Sequence, residues 1–204
     1  MSAPEPRSPR RGLLEPGHHG AEGAGVTLQE LDSSIVEIVA RRRRADAVAA
    51  AFQATFGAAP PPPGRAALAG GSALVAIAPD DWLVLGSPGA PGEAATRLAT
   101  SFAGDALVAD QSAGYATLRV GGQAARAALA KGCRVDLHPR AFGPLRVARS
   151  PIAQVPTILL QLDGAPRFDL LVPSPLARSF AHFLLESAAE FGCSVLPPAA
   201  RDGA

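Results

Sequence analysis

An α+β fold of two tandem βαββαβ repeats is what this sequence predicts, and three observations predict it. β-branched runs and Ala-rich helical stretches follow one another as strand, helix, strand, strand, helix, strand over residues 34–109. The same order returns over residues 115–196. A turn signal separates the middle strands of each unit, Pro79-Asp80-Asp81 in the first and Asp163-Gly164 in the second. This split-βαβ order is that of a ferredoxin-like unit. With 204 residues, 48% hydrophobic and 18% charged, the chain has enough apolar surface to bury a core, and full-length disorder is excluded.

Residues 1–27 are rich in Pro, Gly and Arg without periodicity and read as a disordered leader. The ordered domain then spans 28–196. Ser34-Ile35-Val36-Glu37-Ile38-Val39-Ala40 is β-branched and strand-like. Arg41-Arg42-Arg43-Arg44 ends that run, either as a basic patch for phosphate or an acidic subunit or, more simply, as a solvated strand-to-helix turn. A helix follows from Asp46 to Phe56 and stops at Gly57. Four prolines at 60–63 form a stiff surface connector, since they fit neither a helix nor a central strand. Gly70-Gly71 turns the chain into a strand over 73–77, and Pro79-Asp80-Asp81 turns it again into 82–86, where Trp82 is expected as a buried strand aromatic. A helix over 93–102 and a strand over 106–109 complete the first unit.

Asp110-Gln111-Ser112-Ala113-Gly114 joins the units, its polar side chains either closing the turn as caps or facing a ligand between the halves; capping is the safer reading. The second unit opens with an alternating strand over 115–120 and a helix over 123–131. After an irregular stretch, a strand within 152–162 turns at Asp163-Gly164 into 168–172. Ser174 and Pro175 cap and start a helix over 176–191, which Gly192 ends, and Ser194-Val195-Leu196 adds a short last strand. Residues 197–204 read as a flexible tail.

Composition narrows the function. Nineteen basic residues against 18 acidic leave a net charge of +1, no field with which to attract nucleic acid. Cys133 and Cys193 lie outside any CxxC or finger spacing, so neither a structural zinc site nor a disulfide scaffold is expected. No apolar run approaches a membrane span, and the first twenty residues lack a signal-peptide core, so a cytoplasmic protein is expected. The P-loop, GxGxxG, GxSxG and HExxH motifs are all absent. Of the four histidines, His18 and His19 make too short a pair for a metal tract, and His182 lies mid-helix as a packing or surface residue.

The densest chemistry runs from Lys131 to Arg140, with Cys133, Arg134, Asp136 and His138 in one loop. A Cys133–His138 nucleophile pair is the sharp reading, but no oxyanion site or orienting group accompanies it. The plainer reading is a helix end at Gly132, a small buried Cys133 and a turn fixed by Pro139. Because the spacing suits neither helix nor strand, the segment is predicted to dock on a partner through Arg134, Leu137, His138, Pro139, Arg140 and Phe142. The competing reading is that it packs on its own domain.

Asp110-Gln111-Ser112, Leu118-Arg119-Val120-Gly121-Gly122, Lys131-Gly132-Cys133 and Asp136-Leu137-His138-Pro139-Arg140-Ala141-Phe142 resemble the gamma subunits of heterotetrameric sarcosine oxidases. Phe168-Asp169-Leu170-Leu171-Val172-Pro173, Ala177-Arg178-Ser179 and Asp81-Trp82-Leu83 extend the resemblance over about residues 28–193. It implies an aminomethyltransferase-like fold and a subunit of an oxidoreductase complex that oxidises sarcosine to glycine and hydrogen peroxide, the carbon leaving as formaldehyde or as methylenetetrahydrofolate. It further implies alpha, beta and delta subunits as partners, FAD, FMN and NAD in alpha and beta, zinc in delta, and tetrahydrofolate as co-substrate. No catalytic, cofactor-binding or metal residue is then expected in this chain. A stand-alone folate-binding protein of the same fold is the alternative, with Asp110 or Asp136 as the carboxylate for a pterin. A thiol enzyme using Cys133 is a third reading.

Overall fold

The computed structural model describes residues 12–86, 90 and 92–201. Strands β1 (Gly17–His19) and β2 (Val26–Asp32) precede a first unit of β3 (Ser34–Ala40), α1 (Ala45–Phe56), β4 (Ala66–Ala69), β5 (Ser72–Ala78), β6 (Asp81–Gly86), α2 (Glu93–Ser101) and β7 (Ala106–Asp110). The second unit runs β8 (Tyr115–Gly121), α3 (Ala125–Ala130), β9 (Arg146–Ile152), β10 (Val155–Gln161), β11 (Phe168–Pro173), α4 (Ala177–Ala188) and β12 (Cys193–Ala200). Single 3-10 turns, Ser174–Leu176 and Ala189–Phe191, flank α4.

Two sheets result, one ordered β4-β5-β6-β3-β7 and the other β1-β12-β2-β8-β11-β10-β9. Every named pairing is antiparallel except that of β12 with β2. Period-two alternation assigns each side chain to a layer. Val36, Ile38, Leu74, Trp82 and Val84 face α1 and α2, where Phe52 meets Trp82 and Phe102 edge-on. Their neighbours Ile35, Val75, Leu83 and Leu85 face the other way, onto Ile158, Leu160 and Leu171 of the second sheet. The far side of that sheet, with Leu118, Val120, Leu170 and Val172, buries Leu129 of α3 and Phe180 and Leu184 of α4. The layers are therefore helices, sheet, sheet, helices. The edges of the sheets are also joined, since Ala66 N donates to Leu145 O (2.9 Å) and Val147 N to Gly64 O (3.0 Å).

The order in the first sheet, β5-β6-β3-β7, is the split-βαβ arrangement, with β4 added at one edge. In the second sheet β10-β11-β8 matches it and β9 is the added edge, but β2 occupies the place beside β8 that β7 holds beside β3. The last strand, β12, accordingly pairs with β2 and not with β8.

The structure corrects several expectations. The leader is ordered over much of its length: β2 begins at Val26, Gly25 N donates to Phe191 O, and β1 pairs with β12. A Cβ on Gly25 would stand 2.6 Å from Phe191 O, so the glycine that reads as disorder is a close-packing residue. The described part of the predicted tail is strand too, because β12 continues to Ala200 along β2 despite an irregularity at its prolines. The first strand after the prolines is β4, and Pro61 is buried, its carbonyl accepting from Trp82 Nε1 (3.0 Å). The stretch read as irregular contains β9, whose Pro151 is tolerated at a sheet edge. Between β10 and β11 the chain makes a longer loop over 162–167, held by Gln161 Nε2 to Ala165 O and by an Asp163–Arg167 ion pair, where a two-residue turn was expected.

Candidate functional site

The loop after α3 is built from its anchors outward. Cys133 N donates to Leu129 O, and Ala153 N to Gly132 O, which pins the start of the loop to the β9–β10 turn. Leu137 and Phe142, 6% and 4% exposed, enter the core around Phe168. They are not available to a partner, contrary to the sequence expectation. Past an isolated bridge of Cys133 with Ile152, the loop is ordered by burying two apolar side chains in its own domain. Asp136 Oδ1 accepts from His138 N, His138 Nδ1 from Arg140 N, and His138 O from Ala141 N and Phe142 N. Arg134, His138, Pro139 and Arg140 remain exposed on this frame.

Arg126 is the residue that sequence reading missed. Its Nε donates to Leu137 O (2.8 Å), and its guanidinium lies 5.2 Å from the centre of the Phe168 ring. Arg126→Ala is expected to lower stability by about 1–3 kcal/mol, by removing a charge-assisted bond to a half-buried carbonyl. Hydrogen exchange should show faster exchange at 137–142 than elsewhere. Lys131, the sole lysine, is a second tie: its Nζ donates to Ser187 O (2.7 Å) near the end of α4 and pairs with Glu190.

Burial raises the Cys133 thiol pKa, only partly offset by its hydrogen bond to the Val135 backbone. A neutral thiol, and a His138 whose Nδ1 is engaged in its own turn, give the nucleophile reading no support. The linker acts as caps. Ser112 Oγ accepts from Ile35 N (2.9 Å), Asp110 accepts from Gly92 N and Ser112 N, and Gln111 Nε2 donates to Glu37 (2.8 Å).

Two charged clusters lie between the sheets. Asp169, 3% exposed in an otherwise apolar strand, is bidentate with Arg119 (2.7 and 3.0 Å) and bonded to Arg201 (2.7 Å), itself 4% exposed. Burial pushes its carboxyl upward, but the hydrogen bond from Arg119 and the charges of Arg201 and Arg119 prevail and hold it below the ordinary value. A lone charged residue in each of Leu118-Arg119-Val120 and Phe168-Asp169-Leu170 was the available signal for this cluster. The second cluster is unfavourable. Asp81 Oδ1 is buried with no hydrogen-bond partner among the described residues, and burial first, then the nearby Glu37 charge, raises the carboxyl pKa against a smaller pull from Arg149. A raised carboxyl favours the folded state most when protonated, and that advantage is lost as pH rises through the folded pKa. Asp81→Asn is therefore expected to raise the midpoint of thermal unfolding at neutral pH, with the gain shrinking as the pH is lowered.

Paired sheets with helices on both outer faces define a layered α+β domain. The glycine cleavage system aminomethyltransferase T from Bartonella henselae matches over 86% of this chain and 48% of its own, with a TM-score of 0.66 at 14% identity, a likeness of fold alone. The family is narrower. The model of the sarcosine oxidase gamma subunit family matches residues 41–190. The sarcosine oxidase subunit gamma of an Arthrobacter species is 31% identical over 186 residues, 91% of each chain. A chain of the heterotetrameric sarcosine oxidase from Corynebacterium sp. U-96, in complex with pyrrole 2-carboxylate, matches with a TM-score of 0.73 at 27% identity, over 85% of this chain and 88% of that one. The chain belongs to the sarcosine oxidase gamma subunit family, and so is a subunit of an oxidoreductase complex.

Proposed function

We propose that the chain is a non-catalytic, assembly-supporting subunit. It joins alpha, beta and delta subunits in a cytoplasmic enzyme that oxidises sarcosine to glycine and hydrogen peroxide, with the carbon released as formaldehyde or as methylenetetrahydrofolate. FAD, FMN and NAD reside in alpha and beta and zinc in delta, with tetrahydrofolate as co-substrate of the whole. Among the described residues no helix is long and apolar enough to cross a membrane. The body reads as a duplication of a ferredoxin-like unit in which β2, in place of β12, stands beside β8 in the second copy; the sheet order, with one added edge strand per copy, β4 or β9, supports this reading.

One observation carries this reading. Asp110, Ser112, Asp136 and His138, the polar groups that could have faced a ligand or a reaction, each accept from this chain's own backbone N–H groups and so order the two turns. What the loop presents outward is Arg134, His138, Pro139 and Arg140, a rigid rim suited to a carboxylate-bearing partner. The stand-alone folate reading needs Asp110 or Asp136 for the pterin, and both already accept from backbone N–H groups.

Co-expression with the three partner subunits, followed by purification through a tag on this chain, tests the proposal. All four chains should be recovered, and His138→Ala with Arg140→Ala should weaken recovery while leaving the melting temperature of the isolated chain nearly unchanged. Recovery of this chain alone, with full oxidase activity in its absence, overturns the assembly role. Micromolar binding of tetrahydrofolate to the isolated chain by calorimetry favours the folate reading instead.

A further inference from the structure

The first sheet ends on β7, an edge strand that no described strand covers on its outer side. From Ala106 to Ala109 it carries no charged side chain, and Leu107 is 59% exposed. Edges of this kind pair with other chains unless something protects them, and here neither a bulge, a proline nor an inward charge does so. Beside it stands the four-arginine run. Ala40 pairs with Ala106, Val39 with Leu107, and Arg41 N donates to Asp105 O (2.8 Å), so the run begins at the start of β7. It is held as a defined turn by Arg44 N to Arg41 O (3.0 Å), with Arg43 at φ 63°. Arg44 lies 3.6 Å from Asp105; Arg41, Arg42 and Arg43 are exposed and have no acidic partner among the described residues.

The geometry points to β7 and the Arg41–Arg43 turn as one docking surface, which takes an extended, acidic segment of a partner subunit as an added strand. Backbone hydrogen bonds along β7 give the pairing, Leu107 the apolar contact, and the three guanidinium groups the charge that sets register and direction. A second copy of this chain fits poorly, because its β7 offers the three guanidinium groups no acidic side chain from Ala106 to Ala109 and a single carboxylate, Asp110, at its end. This inference rests on the assembly role proposed above and lies on the other sheet from the 132–142 loop.

The test uses the co-expressed complex. Arg41, Arg42 and Arg43 changed together to Ser should weaken partner binding about ten-fold at low salt, and binding by the unaltered chain should itself weaken as salt rises. Leu107→Asp should weaken it by a similar factor at any salt, and both variants should melt as the unaltered chain does. The β7 amides should exchange more slowly in the complex than in the free chain. A complex that forms normally with both variants, or β7 amides equally exposed in both states, overturns the surface while leaving the assembly role standing. Failure of the unaltered chain to bind any partner overturns both. Self-association of the isolated chain that the Arg-to-Ser variant abolishes overturns the choice of occupant.

Discussion

Replacing Asp169 with Ala is expected to destabilise the domain by about 3–5 kcal/mol, because it leaves two guanidinium groups facing a space from which water is largely excluded. Arg119 and Arg201 converge on this carboxylate from β8 and from just beyond the end of β12, so the cluster ties the centre of the seven-stranded sheet to the last described residue. Its pH dependence has a definite sign. The folded carboxyl titrates below its ordinary value of 3.8, so its contribution is whole above that value and is lost as pH falls through the lower folded value. Urea denaturation should show the unaltered chain losing stability in that acidic window, and Asp169→Ala losing much less there. A variant as stable as the unaltered chain at neutral pH would show that the two arginines reach water or other partners when the carboxylate is gone.

The core strands were legible because their signal is local. Leu74, Leu83, Leu85, Leu118, Val120, Leu160, Leu170 and Val172 sit in strands whose alternation or apolar run can be read directly, and all are buried. What escaped reading was the information that is not local. β2 carries the alternation Val26, Leu28, Glu30 on one face, but it lies next to a Pro- and Gly-rich segment, and only pairing with β8, some ninety residues away in the chain, gives it a place. β4 is alanine-rich and β9 contains a proline; both are edge strands, where weak propensity is tolerated because only one side needs a partner.

The candidate site divided along the same line. The loop from Gly132 to Phe142 stood out because it gathers charged, aromatic and thiol groups, and its turns proved to be Asp136, His138 and Arg140 bonding over short range. Which of its side chains point inward was not legible, since that depends on Arg126 reaching back from α3 to Leu137 O and on the ring of Phe168 from β11. The four arginines after β3 read either as a basic patch for phosphate or an acidic subunit or, more simply, as a solvated turn. Only the sheet order places them at the head of an uncovered edge strand.

Gly122→Ala is expected to cost about 2–4 kcal/mol, and to loosen one side of the seven-stranded sheet before the rest. Gly122 follows β8 at φ +102°, and a Cβ built there would stand 2.4 Å from Gly25 O, a backbone atom with no side-chain freedom to withdraw. That closeness has a purpose: Gly25 O accepts from Ala124 N (2.9 Å), so the chain entering β2 is bonded to the turn that leads into α3. A methyl group would force the two backbones apart where β2 begins its pairing, at Thr27 with Gly121. Because β2 lies between β8 and β12, and β1 pairs with β12 alone among the described strands, the loss should spread outward to the N-terminal strands. Hydrogen exchange should therefore quicken at residues 17–32 and 193–200 while β10 and β11 stay protected. Gly164→Ala is the control, since nothing lies within 4 Å of a Cβ at that position, and it should melt close to the unaltered chain. Equal melting temperatures for the two variants would mean that β2 can shift without cost, and its role in closing the sheet would have to be given up.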